Sequence, residues 1–150
     1  MKNLCGKCNV CCTECRIDKS ELPWRDTDKV KGEICEKLIF GSCGIYKKRP
    51  KPCRTFECMW LQVSKLTNGK MAPEKWRPDN LGIFIKVMDE KNGKFLFHTE
   101  EIEKGKIDFN NPEVLSFFDM IFNLIKQQKK DAVVVLYYFG ENKGHQLKQN

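Results

Sequence analysis

Cys5-Gly6-Lys7-Cys8-Asn9-Val10-Cys11-Cys12-Thr13-Glu14-Cys15 is the stretch that decides how this chain is read. Sulfur is dense here and large apolar side chains are few, so the segment must be organised by something other than a hydrophobic core. Working outward, four more cysteines follow as Cys35-x7-Cys43-x9-Cys53-x4-Cys58. All nine cysteines lie between Cys5 and Cys58, and residues 59–150 contain none. A short C-x2-C spacing lets two sulfurs fold back onto one ion at about 2.3 Å each. Thiolates are soft donors that select zinc, iron–sulfur clusters or copper(I) over magnesium or calcium. Cys11 and Cys12 add a constraint. Adjacent side chains in extended backbone point to opposite sides, so the two are expected to face different ions or to bridge two. Two four-sulfur sites need eight ligands, whereas one four-iron cluster needs only four.

The composition permits a packed protein. In 150 residues, 41% are hydrophobic and 11% aromatic, which suits one domain, or one domain with a small metal-held module attached. The longest apolar run, Ala132 to Phe139, is too short to span a bilayer, and the first residues lack the apolar stretch of a signal peptide. The expectation is a cytoplasmic protein with no membrane partner. Thiols stay reduced in that compartment, so the cysteines point to metal binding or redox chemistry rather than disulfides. The formal net charge is +7, with 13 Lys/Arg against 8 Asp/Glu in residues 1–60.

The remaining chain reads as α+β. Residues 1–58 are loop-rich, punctuated by Gly6, Gly32, Gly41, Gly44, Pro50 and Pro52. A short helix is predicted from Cys58 to Leu66, then a connector from Asn68 to Asn80. Leu81 to Met88 and Lys94 to Thr99 read as paired strands joined by a turn at Asp89 to Gly93. Asn111 is a helix N-cap with Pro112 and Glu113 in the first turn. Val114, Phe117, Phe118, Ile121, Phe122 and Ile125 then recur at helical spacing, to about Gln128. Ala132 to Phe139 reads as a buried strand closed by Gly140, and Glu141 to Asn150 as a frayed polar tail. The organisation is thus a loop-rich cysteine-cluster metal module over 1–66, followed by a small β-β-α-β layer over 81–140 that supports it. The two are expected to form one compact unit.

The opening Cys5-Gly6-Lys7-Cys8-Asn9-Val10-Cys11-Cys12 resembles the C-x2-C-x2-C-C start of the YkgJ-type cysteine-cluster family, described as a zinc- or iron-chelating domain. Cys43-Gly44-Ile45-Tyr46-Lys47-Lys48-Arg49-Pro50-Lys51-Pro52-Cys53-Arg54-Thr55-Phe56-Glu57-Cys58 is similar to that family's C-x-I-Y-x-x-R-P-x-x-C-R-x-F-x-C pattern. The resemblance covers residues 5 to 60, and Trp76-Arg77-Pro78-Asp79 is similar to a stretch in longer members. It implies that Cys5, Cys8, Cys11, Cys12, Cys35, Cys43, Cys53 and Cys58 are the metal ligands. Some members carry a second cysteine where Leu38 stands here, and Cys15 is additional to the basic opening. Cys15 either substitutes for the missing ligand or is a buried thiol.

Other residues of the motif have physical readings. Arg49 and Arg54 stand beside thiolates in sequence, where they either compensate charge and donate N–H···S bonds or simply solvate the surface. Tyr46 and Phe56 are expected to pack over the cluster and limit solvent access. His98 and His145 read as structural or exposed rather than as ligands. Glu100, Glu101 and Glu103 read as a solvated turn after a strand. The chain has no P-loop, no dinucleotide fingerprint and no nucleophile with an identifiable base.

Three functions compete. The first is a metal-binding protein holding zinc, as two ions, or iron. The second is an iron–sulfur redox protein or enzyme, since flagellin lysine methylases carry a related cysteine motif. The third and weakest is a nucleic-acid-binding zinc protein, which lacks a finger helix or an RNA-binding aromatic motif here. Eight ligating thiolates would take the formal charge from +7 to −1, and two divalent ions would return it to +3. That disfavours nucleic acid as a partner.

Overall fold

A computed structural model describes residues 5–89, 95–127 and 132–147. Its contacts divide the chain into two compact units, Met1–Glu57 and Cys58–Asn150. The architecture is mixed α and β. Among the described residues no helix is long and apolar enough to cross a membrane.

The first unit has little regular structure. Helix α1 covers Val10–Glu14 and helix α2 covers Lys51–Thr55. Two-residue strands β1 (Leu38–Ile39) and β2 (Ser42–Cys43) form a hairpin in which Leu38 pairs with Cys43. Its loop is Phe40-Gly41, with φ of 48° and 75°. Positive φ at both central residues is the turn geometry that matches strand twist. The rest is held by main-chain cross-links. Ile17 and Lys29 exchange both backbone bonds, at 3.0 and 2.9 Å, and Gly32 N–H donates to Thr13 O at 3.0 Å.

The second unit begins with helix α3, Met59–Leu66, whose Met59, Trp60 and Val63 are buried. One-turn helix α4, Pro78–Leu81, occupies the end of the expected connector and ends at Gly82, whose φ is 76°. A Cβ there would lie 2.3 Å from Cγ of Lys106, so this turn needs glycine twice over. That is why strand β3 starts at Ile83 rather than Leu81. Strands β3 (Ile83–Asp89), β4 (Phe95–Glu101), β5 (Ala132–Tyr137) and β6 (His145–Leu147) form one sheet in chain order. β3–β4 and β5–β6 are antiparallel, and β4–β5 is parallel. A parallel neighbour needs a crossover, which helix α5 (Pro112–Gln127) supplies. Residues 90–93 of the expected turn and Gln128 at the expected helix end lie outside the described residues.

Apolar periodicity builds the core of this unit. Ile83 and Ile85 of β3, Phe97 of β4, and Val134 and Leu136 of β5 meet Val114, Phe117, Phe118 and Ile121 of α5. All are at most 6% exposed. Phe122 and Ile125, expected on the same stripe, are partly buried against it. Asn111 caps α5 by accepting the Glu113 N–H at 2.9 Å. Two expectations fail. The tail is not frayed over its described part, because His145–Leu147 pairs with the open edge of β5. Glu100 and Glu101 are not in a solvated turn: they sit in β4 at 3% and 8% exposure. Glu101 accepts the Ile107 N–H and the Phe139 N–H, both at 2.8 Å. Only Glu103 is exposed as expected.

Candidate functional site

The local structure of the first unit gathers its sulfurs. Cys5 and Cys8 are joined by a turn, with Cys8 N–H donating to Cys5 O at 2.9 Å. Cys11 and Cys12 lie in α1, which corrects the expectation of extended backbone there. Successive residues of a helix diverge by about 100°. The two side chains therefore still point in different directions. Cys15 is the C-cap of α1, and its N–H donates to Cys11 O at 3.3 Å. Cys35 is tied to Cys12 by a backbone bond of 3.1 Å, and Leu38 N–H returns to Cys35 O at 2.9 Å. The hairpin then sets Cys43 opposite Leu38. Cys53 is carried by α2, behind Pro50 and Pro52.

The result is one cavity of about 360 Å³ inside the first unit. Cys5, Cys8, Cys11 and Cys15 line it, and so do Cys12, Cys35, Cys43 and Cys53. Arg49, Tyr46 and Phe56 line it as well. The Arg49 guanidinium lies 3.8 Å over the Tyr46 ring and donates to Tyr46 O at 3.0 Å. Arg54 is exposed and is not among the lining residues. Cys58 is the N-cap of α3 and packs against the core of the second unit. The nine cysteines are all thiols rather than disulfides.

Sequence reasoning missed two residues here. Lys29 is 0% exposed and lines the cavity. Its ammonium donates to Thr13 O at 3.0 Å, Cys15 O at 2.8 Å and Val30 O at 3.4 Å. A buried charge needs such partners, and no local sequence signal announces them. Trp24 also lines the cavity, with Lys37 Nζ 5.2 Å from its ring centroid. Its indole N–H is buried and finds no acceptor among the described residues.

The electrostatics follow from crowding. Cys12 is lowered to about 7, first by the hydrogen bond with Cys11 and then, against burial, by Lys29 and Arg49. The same bond, with burial and the neighbouring Cys12, Cys15 and Cys5, pushes Cys11 up. Burial, followed by Cys12, Cys35 and Cys43, pushes Cys53 up to about 11. Burial also raises Cys35. Burial and the neighbouring thiols both penalise the thiolate form at Cys11, Cys35 and Cys53.

The donor set fits a soft metal in composition, and the unpartnered Trp24 N–H fits a thiolate acceptor. Among the described residues, however, no three Cys, His, Asp or Glu side chains already stand where one ion would take them all. Binding one ion would require the sulfurs to move closer together. The histidines are elsewhere. His98 stacks on Tyr137 at 4.2 Å, with Nε2 2.7 Å from Glu100, and His145 is 2.8 Å from Glu141. Neither a protein-family model, nor a curated protein, nor a solved structure matches the chain.

Proposed function

We propose that the first unit is a metal-binding module that holds zinc or iron through cysteine thiolates. The observation that carries this reading is the convergence of eight cysteines on the wall of one cavity. Resemblance of residues 5–60 to the YkgJ-type family supports the same reading. In the cell, bound metal would contribute folding energy to a unit with few buried apolar side chains: Val10 and Leu22 are its buried hydrophobic residues among those described. Lys29 and Arg49 offset thiolate charge, while Trp24, Tyr46 and Phe56 restrict water. When bound, the metal supplies a cross-link between thiolates; the chain's own residues position those thiolates and hold the protons the metal displaces.

The test is purification of the full chain without oxygen, followed by elemental analysis and an absorbance spectrum. Stoichiometric zinc gives a colourless protein, whereas an iron–sulfur centre gives a brown one. Chelation, or Cys53→Ser, is expected to expose residues 1–57 to protease while peptides from α5 stay intact. A metal-free protein whose first unit resists protease equally with and without chelator would refute the reading.

A further inference from the structure

We infer that the β1–β2 hairpin is a docking tip for an anionic membrane surface. Phe40 and Ile39 enter the headgroup layer, and Lys47 and Lys48 meet its phosphates. None of these four residues lines the sulfur-walled cavity, so docking is a second function of the first unit, apart from metal binding. It needs no spanning segment, because such a tip reaches only the boundary between headgroups and acyl chains.

Phe40 is placed at two costs that the fold does not recover. Its φ of 48° lies in the left-handed region, which a bulky side chain rarely adopts. Asparagine, aspartate and glycine are the residues that suit the first centre of such a turn. The ring is also fully exposed, so no apolar burial offsets the strain. Strain held at one residue without an internal return points to a use outside the fold. Beside it, a Cβ on Gly41 would meet nothing within 4 Å, so the tip projects into open space. Ile39 is 53% exposed, and its side chain folds back over Gly44, where a Cβ would lie 2.7 Å from Cδ1 of Ile39. The Gly44 N–H closes the base of the hairpin by donating to Lys37 O at 2.9 Å. The tip is thereby fixed with its largest apolar side chain outermost.

Charge selects the partner. Residues 37–56 hold six cations, Lys37, Lys47, Lys48, Arg49, Lys51 and Arg54, and no Asp or Glu. The acids just before them, Glu33 and Glu36, are paired with Arg25. Lys47 and Lys48 lie in the single 3-10 turn Tyr46–Lys48 that directly follows the hairpin, and both are exposed. Among the described residues neither has an acidic partner. Lys75, Lys86 and Lys106, in contrast, meet Glu113, Glu100 and Glu103. An apolar tip with unneutralised lysines behind it repeats the order of a bilayer edge, acyl carbon beneath anionic phosphate. Nucleic acid is the weaker fit, because bases stack on aromatic rings and gain little from the aliphatic Ile39. Two apolar side chains and two lysines give weak, reversible attachment rather than permanent anchoring.

Co-sedimentation of the full chain with lipid vesicles tests the docking. The vesicles are phosphatidylcholine alone, or phosphatidylcholine mixed equally with phosphatidylglycerol. Binding is expected to the mixed vesicles only, and to weaken as salt is added. Phe40→Gly is expected to lower the vesicle partition coefficient by about tenfold or more. The same variant is expected to keep or raise the trypsin resistance of the first unit, because glycine relieves the strained φ. Phe40→Leu is expected to bind within about threefold of the unsubstituted chain, since Leu and Phe bury similar apolar surface. Lys47→Gln combined with Lys48→Gln is expected to lower partition about 10- to 30-fold. No binding to the mixed vesicles would overturn the proposal, as would binding that Phe40→Gly leaves within about twofold. Loss of trypsin resistance in Phe40→Gly would also overturn it, because Phe40 would then serve the fold. Tighter binding to a single-stranded oligonucleotide, lost in Phe40→Leu, would assign the tip to nucleic acid and overturn membrane docking.

Discussion

Replacing Glu101 tests the reasoning about buried carboxylates most sharply. Its side chain sits in β4 at 8% exposure and accepts two backbone N–H groups, from Ile107 and Phe139, each at 2.8 Å. These bonds join the loop after β4 to the exit of β5. Hydrogen bonds to a charged group contribute about 1.5–3 kcal/mol each. Glu101→Ala removes both, leaving the buried Ile107 N–H and the part-buried Phe139 N–H without this acceptor. Release of the carboxylate from its buried position recovers part of that loss. The expected net cost is about 2–4 kcal/mol to the second unit. Glu101→Gln keeps one acceptor but turns an NH2 toward the other N–H, for a cost of about 1.5–3 kcal/mol. Hydrogen exchange read by mass spectrometry is the suitable assay, because it resolves peptides and does not require a single transition for both units. Peptides containing Ile107 and Phe139 are expected to exchange roughly 30- to 1,000-fold faster in Glu101→Ala. Exchange unchanged within threefold at both amides would refute the claim that the carboxylate clamps them.

Three further outcomes are expected. Lys29→Met removes the ammonium that holds the carbonyls of Thr13 and Cys15. Competition against a chromophoric chelator is expected to show about 10- to 100-fold weaker zinc retention, with unchanged retention counting against the role given to Lys29. Asn111→Ala deletes the acceptor of the Glu113 N–H and is expected to cost about 1 kcal/mol, read as a lower midpoint of second-unit unfolding; Asn111→Gly is expected to cost less. Glu113 is held below its ordinary value by hydrogen bonds from Lys75 and then Trp76. Its contribution is therefore fully present above the ordinary carboxylate range and is lost as pH falls through the depressed value. Glu113→Gln is expected to flatten the acid limb of second-unit stability below about pH 4, and an identical acid limb would refute the linkage.

What the sequence made legible was what depends on near neighbours. The start of α5 was readable because its cap and first turn, Asn111 to Glu113, act within three residues. The β3–β4 pair was readable from its apolar run, although Gly82 shifted its beginning by forming a left-handed cap that also packs closely against Lys106. Strand β6 was not readable. His145-Gln146-Leu147 has little intrinsic strand preference and is a strand only because β5 presents an edge to it. Glu101 was misread for a related reason: one of its partners, Phe139, lies 38 residues away. In the candidate site, the spacing from Cys5 to Cys15 announced a sulfur-rich site. It did not reveal Lys29, whose buried ammonium is satisfied by carbonyls 14 and 16 residues earlier. Nor does spacing reveal that a unit boundary falls between Glu57 and Cys58.

Charge connects these observations. In the proposed metal module, four thiolates on one divalent ion would leave a net charge of about −2. The cations lining the cavity are Arg16, Lys29, Lys37 and Arg49. Arg16 is paired with Asp28 at 2.9 Å and Lys37 lies over the Trp24 ring, whereas Lys29 and Arg49 act on Cys12. Lys29 matters most, because it is the cation that cannot leave: its side chain is fully buried and bonded to the segment carrying Cys15. The hydrogen bond with Cys11 first, and then Lys29 and Arg49, bring Cys12 to about 7, and in the proposed module a cation fixed there would lower the cost of collecting thiolates in one place. Lys29 is in this way committed inside the first unit, whereas Lys47, Lys48, Lys51 and Arg54 are exposed.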